Sequence, residues 1–133
     1  MIQRDYYLRM IEEFARALAN FLEKPYTDSR RDREMADLYR QYVGDYTTLR
    51  NLSTEETLHY GNSQWDEAGR TERLAMLAEL LYTEATYRQA PLCLMLYDKA
   101  YRLYDYVETY GNTYSIDRRG KMAHIRQILD NKG

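Results

Sequence analysis

Residues 91–110, PLCLMLYDKAYRLYDYVETY, decide the fold class. Apolar side chains recur there every three or four residues, which is the spacing of one face of an α-helix. The residues of this face are Cys93, Leu96, Ala100, Leu103, Val107 and Tyr110. Pro91 suits the first turn of a helix, where its missing N–H is not needed, and Gly111 with Asn112 suits the end. We therefore predict one amphipathic helix over 91–110.

The same periodicity extends outward to three further long helices. A helix over 3–23 is stopped by Pro25, and a second begins at Asp28 or Ser29 and ends at Gly44, a glycine suited to a left-handed terminator. A third is predicted from Thr71 to Gln89. The inward face of the first helix is predicted to be Tyr7, Ile11, Phe14, Leu18 and Phe21. That of the second is Met35, Leu38, Tyr39, Tyr42 and Val43. That of the third is Leu74, Leu77, Ala78, Leu81 and Ala85.

The remaining segments read as short helices and turns. Residues 45–61 are predicted to form short helical pieces, one of them started by a capping box at Ser53-Thr54-Glu55-Glu56 and closed by a turn at Gly61-Asn62-Ser63. Ser115 begins a last helix, whose expected apolar face is Ile116, Met122, Ile125 and Leu129. No segment alternates polar and apolar residues as a strand does.

These elements predict an all-α fold, an antiparallel array of five or six helices. We expect a single domain over residues 1–133: a helical hairpin at 1–44, a short helical linker at 45–70, and a second hairpin with the last helix at 71–131.

Two resemblances imply that this array is tetratricopeptide-like. Cys93, Tyr97 and Ala100 have the spacing of the small, aromatic and alanine positions in the second helix of a tetratricopeptide repeat. The chain also resembles an uncharacterised bacterial family of small tetratricopeptide-like proteins. The resemblance lies in Gln3–Glu12, Tyr42-Val43-Gly44, Leu52–Glu56 and Ala78–Leu81. It implies a helical fold and a bacterial origin, and it carries no catalytic residue. The turn before Pro91 is shorter than in that family, which predicts a tighter hairpin.

Composition and charge exclude several classes of protein. The net charge of −2 is not that of a dedicated nucleic-acid-binding protein, so we expect no nucleic acid partner. Cys93 is the only cysteine, which excludes an intrachain disulfide, and its apolar neighbours predict a small buried side chain. The chain has neither a secretory signal nor an apolar run long enough for a membrane span. We expect a cytoplasmic protein without a membrane partner.

The sequence contains no recognisable catalytic or metal-binding motif. His59 and His124 are the only histidines, and neither has a second histidine or a cysteine at ligand spacing. Glycine-rich phosphate loops and nucleophile elbows are also missing. We therefore expect a protein that is not an enzyme and binds neither a cofactor nor a metal ion.

Tyrosine is the distinctive side chain, with 15 copies against 2 phenylalanines and 1 tryptophan. Tyr97, Tyr101 and Tyr104 form a stripe on the 91–110 helix, beside its apolar face. These rings either complete the core, with their hydroxyl groups at its edge, or line a binding groove, for which tyrosine supplies rigid contact area.

Arginine outnumbers lysine, and cations cluster on the last helix at Arg118, Arg119, Lys121 and Arg126. These residues form either a solvated face or an anion site.

The leading hypothesis is a non-enzymatic interaction module that binds an unknown protein, or a second copy of itself, through the tyrosine-rich helical face. A two-fold homodimer would cover an apolar arc that is too wide for one neighbouring helix. The alternative is a helical protein that binds an anionic ligand or RNA through the cations of the last helix.

Overall fold

The computed structural model describes residues 2–111 and 115–131, which form seven α-helices and no β-strand. The helices are α1 (Ile2–Glu23), α2 (Asp28–Tyr42), α3 (Tyr46–Asn51), α4 (Thr54–Gln64), α5 (Glu67–Ala85), α6 (Leu92–Tyr110) and α7 (Ile116–Asn131). The all-α class is confirmed. Seven helices are present instead of five or six because the region expected as short pieces forms two separate helices, α3 and α4.

Helix α5 lies at the centre of the fold. It packs against α1, α2, α4 and α6, and its contact with α6 is the most extensive between any two helices. Side chains are buried around most of its circumference: Leu74, Met76, Leu77, Ala78, Leu80, Leu81, Thr83, Glu84 and Ala85. Helix α7 then packs against α6. The hydrophobic core therefore surrounds α5.

Helix α5 begins and ends about four residues before the predicted Thr71 and Gln89. It starts after Asp66, and Gly69 in its first turn lies directly under the Tyr7 ring of α1. A Cβ atom on Gly69 would come within 2.2 Å of Tyr7 Cε1. The glycine therefore permits a close approach of α1 to α5, a long-range contact that periodicity does not reveal.

The buried face of α1 differs from the predicted one at Ile11. Met10, Phe14, Leu18 and Phe21 are buried, whereas Ile11, which was predicted to face inward, is 38% exposed. Phe14 packs edge-on against the Tyr42 ring of α2, with 5.1 Å between the ring centroids. Packing against α2 and α5 thus buries Met10 and leaves Ile11 at the edge of the contact.

Helix α2 buries its whole predicted face, from Met35 to Val43. Its N-cap is Thr27, one residue before the predicted caps, and the Thr27 hydroxyl accepts a hydrogen bond from the Arg30 N–H at 3.4 Å. Gly44 has a φ of +148°, which confirms its role as a terminator with positive φ. Its N–H donates to the Tyr39 carbonyl at 2.7 Å.

The capping box at the start of α4 is confirmed. Glu56 N–H donates to Ser53 Oγ at 3.0 Å, and Ser53 N–H donates to Glu56 Oε1 at 2.8 Å. The turn predicted at Gly61 is wrong, because α4 continues to Gln64. A Cβ on Gly61 would lie 3.1 Å from Trp65 Cε3, so the glycine makes room for the indole ring.

The last two helices differ from the prediction in detail. Cys93 is only half-buried, and Tyr110, predicted to face inward, is 66% exposed. Ser115 caps α7 as predicted, since its hydroxyl accepts a hydrogen bond from Arg118 N–H at 3.1 Å. On α7, Ile125 is fully buried but Ile116 is 77% exposed. Asn112, predicted to help end α6, lies outside the described residues.

Candidate binding groove

The tyrosine stripe of α6 divides between the core and the surface. Tyr97 and Tyr104 are buried, and Tyr104 Oη donates a hydrogen bond to Glu79 Oε2 at 2.7 Å. Tyr97 packs edge-on against Tyr82, with centroids 5.5 Å apart. Only Tyr101 is partly exposed. Of the two readings, Tyr97 and Tyr104 therefore follow the one in which the rings complete the core, because α5 and α7 cover them. The homodimer stays a prediction.

The predicted cationic cluster of α7 is held by carboxylates of neighbouring helices. Arg118 Nε and Arg119 Nε donate to the two oxygens of Glu108, at 2.5 and 3.1 Å. Lys121 forms ion pairs with Glu79 and with Asp117. These contacts attach α7 to α5 and α6.

Arg126, the last cation of that cluster, lies apart from the carboxylate pairs. Its guanidinium donates to the hydroxyl of Tyr101 and lies 5.4 Å from the centroid of that ring. Tyr101 and Arg126 are the two predicted site residues that the fold brings together in direct contact at the surface.

Three neighbouring hollows, together called the α6 groove, lie along α6 beside this pair. The first hollow, of about 650 Å³, lies between α6 and the segment that joins α3 to α4. The floor is formed by Leu92, Met95 and Lys99, and the wall by the capping-box residues at the start of α4. Met95 is 66% exposed, so this part of the floor is open to a ligand.

Two further hollows continue the groove toward the end of α6. The central one, of about 580 Å³, is shared between the start of α4, α6 and the end of α7. The third, of about 330 Å³, lies between α6 and α7. Asp98 and Arg102 line both the first and the central hollow, and Tyr101, Asp105 and Arg126 line both the central hollow and the third. Neighbouring hollows of the groove therefore share lining residues.

Lys99 is the one buried cation on the floor of the first hollow. It is 7% exposed, and its Nζ donates to the carbonyl oxygen of Leu49 in the last turn of α3 at 2.5 Å. Burial lowers the pKa of Lys99 to about 8, opposed by the nearby Glu56 carboxylate. The sequence indicates that Lys99 is buried, because it lies three residues after Leu96 and four before Leu103 on the apolar face of α6.

A second buried polar group is the carboxylate of Glu84 on α5. Glu84 is fully buried and accepts hydrogen bonds from Tyr46 Oη at 2.8 Å, from Arg50 Nη2 at 2.9 Å and from Arg88 Nε at 2.9 Å. Arg88 also pairs with Asp32 at 2.8 Å. Burial and the Glu84 carboxylate raise the pKa of Tyr46 to about 12. This cluster joins α2, α3 and α5 and has a structural role.

The two histidines lie in different parts of the fold. The described residues contain no group of three histidine, cysteine, aspartate or glutamate side chains placed to hold a metal ion. His124 Nδ1 lies 2.5 Å from Tyr82 Oη, and His59 lines a shallow hollow beside Leu52 and Tyr60. None of the helices in residues 2–111 and 115–131 combines the length and apolarity of a bilayer-spanning segment.

Comparison with known proteins gives no relative from which a function can be transferred. No protein-family model, no curated protein and no solved structure matches this chain. The tetratricopeptide-like resemblance therefore stays a prediction, and the function has to be argued from the groove itself.

Proposed function

We propose that this chain is a non-enzymatic, tetratricopeptide-like interaction module that binds an extended segment of a partner protein in the α6 groove. The groove itself is the observation that carries the proposal. Its floor extends from Leu92 to Glu108, about 24 Å at the rise of an α-helix. An extended chain of about seven residues covers that length.

The excess of carboxylates in the central hollow favours a partner segment with lysine or arginine. Two arginines line this hollow, Arg102, which is paired with Asp98, and Arg126. The other carboxylates there form no ion pair within residues 2–111 and 115–131; they are Glu55, Asp105 and Asp130. Tyr101 adds an aromatic surface beside them. A guanidinium or ammonium group of the partner would gain carboxylate acceptors and an aromatic ring at the same place.

The alternative, an anionic ligand or RNA bound through Arg118, Arg119, Lys121 and Arg126, has less support. The first three cations already donate to carboxylates. A phosphate would have to displace those acceptors and approach the acidic central hollow, where Coulomb repulsion opposes it.

A peptide selection tests the proposal. Random heptapeptides displayed on phage are selected on the wild-type protein, on Asp105→Arg and on the control Glu12→Arg, which reverses an exposed charge on α1. We expect wild type and Glu12→Arg to enrich peptides with lysine or arginine, and Asp105→Arg to lose them. Enrichment of acidic peptides, or no effect of Asp105→Arg, would contradict the proposed site.

A further inference from the structure

The first and the central hollow of the α6 groove offer a ligand different chemistry. In the first hollow Met95 is 66% exposed, and Leu92 and Leu52 lie half-buried in the same lining. In the central hollow Asp105 and Asp130 are exposed carboxylates without an ion pair in the described part of the chain. An apolar surface and a group of free carboxylates therefore lie in neighbouring hollows.

Most charged side chains of the first hollow already have partners within the fold. The pairs are Arg50 with Glu84, Arg102 with Asp98, Lys99 with the Leu49 carbonyl and Glu56 with the Ser53 N–H. Glu55 is the remaining charged residue of this hollow, and it also lines the central one. A ligand in the first hollow therefore gains most by covering the apolar side chains, because a charged ligand group would compete with contacts that are already made.

The length of α6 sets the separation of the two contacts. Met95 and Asp105 both lie on this helix, about 15 Å apart along its axis. Four residues of an extended chain cover about 13 Å, and a lysine or arginine side chain is long enough to span the rest. Side chains four residues apart in an extended chain also point to the same side. One segment can therefore reach both hollows with side chains at this spacing.

We propose that the partner segment carries an apolar side chain and, four residues away, a lysine or arginine. This inference rests on the proposed function of the groove and names the two side chains that the groove selects. The apolar side chain packs on Met95, whose unbranched thioether adapts to partners of different shape. The basic side chain binds Asp105 and the carboxylates beside it. Between them the segment crosses Asp98 and Arg102, which neutralise each other at 2.9 Å.

Short synthetic peptides test this spacing. The reference peptides are Ser-Leu-Ser-Ser-Ser-Arg-Ser and the same sequence in reverse order, and fluorescence polarisation measures the Kd of each. In the tighter of the two, we expect replacement of leucine by serine to weaken binding about tenfold. A spacing of three or five residues should weaken it similarly, because one of the two side chains then points away from α6.

Met95→Gln and the matched control Leu22→Gln localise the apolar contact. Each replaces an exposed apolar side chain with an uncharged polar one, since Leu22 on α1 is 61% exposed and Met95 is 66% exposed. Loss of the leucine from the peptide should weaken binding about tenfold for wild type and Leu22→Gln, and less than about threefold for Met95→Gln.

The outcomes separate this inference from the proposed function. Equal affinities at spacings of three, four and five would overturn the inference, as would an equal effect of leucine removal in Met95→Gln and wild type. If Asp105→Arg still weakens binding of the arginine peptide in either case, the proposed function stands. Failure of every peptide to bind, or no effect of Asp105→Arg, would overturn both.

Discussion

Arg88 donates a hydrogen bond from Nε to the fully buried carboxylate of Glu84 at 2.9 Å. Arg50 approaches the same carboxylate from α3, and Asp32 on α2 pairs with the far side of Arg88. One glutamate on α5 thus holds side chains from several segments of the chain. Its removal would leave the two arginine charges partly buried and without a carboxylate between them.

The first prediction concerns this cluster. We expect Glu84→Gln to lower the free energy of unfolding by about 3–5 kcal/mol, since breaking a buried ion pair leaves its partners uncompensated. The matched control is Glu12→Gln, at an exposed position on α1, which should change it by less than about 0.5 kcal/mol. Urea unfolding followed by circular dichroism measures both. Equal effects of the two substitutions would show that the cluster adds no stability.

The second prediction concerns the pH dependence of stability. Burial lowers the pKa of Lys99 from 10.5 to about 8. Between these values the unfolded chain binds a proton that the folded protein lacks, so the free energy of unfolding rises with pH in this window. The gain from this residue between pH 7 and pH 9.5 is about 2 kcal/mol.

Lys99→Met isolates that contribution, because all other groups titrate alike in both proteins. From pH 7 to pH 9.5 the free energy of unfolding of wild type should therefore rise by this amount relative to that of Lys99→Met. Above pH 10 the raised pKa of Tyr46 makes stability fall with pH in both proteins. A difference that stays constant from pH 7 to pH 9.5 would contradict a buried, uncompensated ammonium at position 99.

The third prediction uses two glycines in opposite surroundings. Gly44 has a φ of +148°, and an added Cβ would lie 2.9 Å from Tyr60 Oη. We expect Gly44→Ala to destabilise the protein by about 1–3 kcal/mol, because it combines backbone strain with this overlap. Gly120 lies in α7 with nothing within 4 Å of an added Cβ, so Gly120→Ala should stabilise by up to about 1 kcal/mol.

Thermal unfolding of the two variants gives the comparison directly. Opposite shifts of the midpoint are expected, downward for Gly44→Ala and upward for Gly120→Ala. Shifts of the same sign and size would mean that the backbone at position 44 is not strained by a side chain.

Local sequence patterns predicted much of this fold because local signals determine it. The period of three and four located α6 and the buried face of α2, and the Ser53 capping box located the start of α4. The bounds of α5 could not be obtained in this way. The first turn of α5 contains Gly69, which lies under Tyr7, and a contact between residues that are distant in the chain leaves no local pattern.

The sequence predicted less of the groove, because the groove also depends on contacts between segments that are distant in the chain. Its walls come from the α3–α4 junction, α6 and α7, and only packing brings these segments together. Tyr101 and Arg126 were predicted site residues, but the burial of Tyr97 and Tyr104 follows from the docking of α7, which periodicity within α6 does not specify. The sequence does indicate that Lys99 and Glu84 are unusual, since each places a charged side chain on an apolar helical face.

The most direct measurement of the central claim is a nuclear magnetic resonance titration. The ¹⁵N-labelled protein is titrated with a lysine- or arginine-containing heptapeptide selected on it, and amide shift changes are mapped along the chain. We expect the largest changes from Leu92 to Glu108 on α6, at the start of α4 and at the end of α7. Changes confined to α1 and α2, or no saturable change with any selected peptide, would contradict a protein-binding groove along α6.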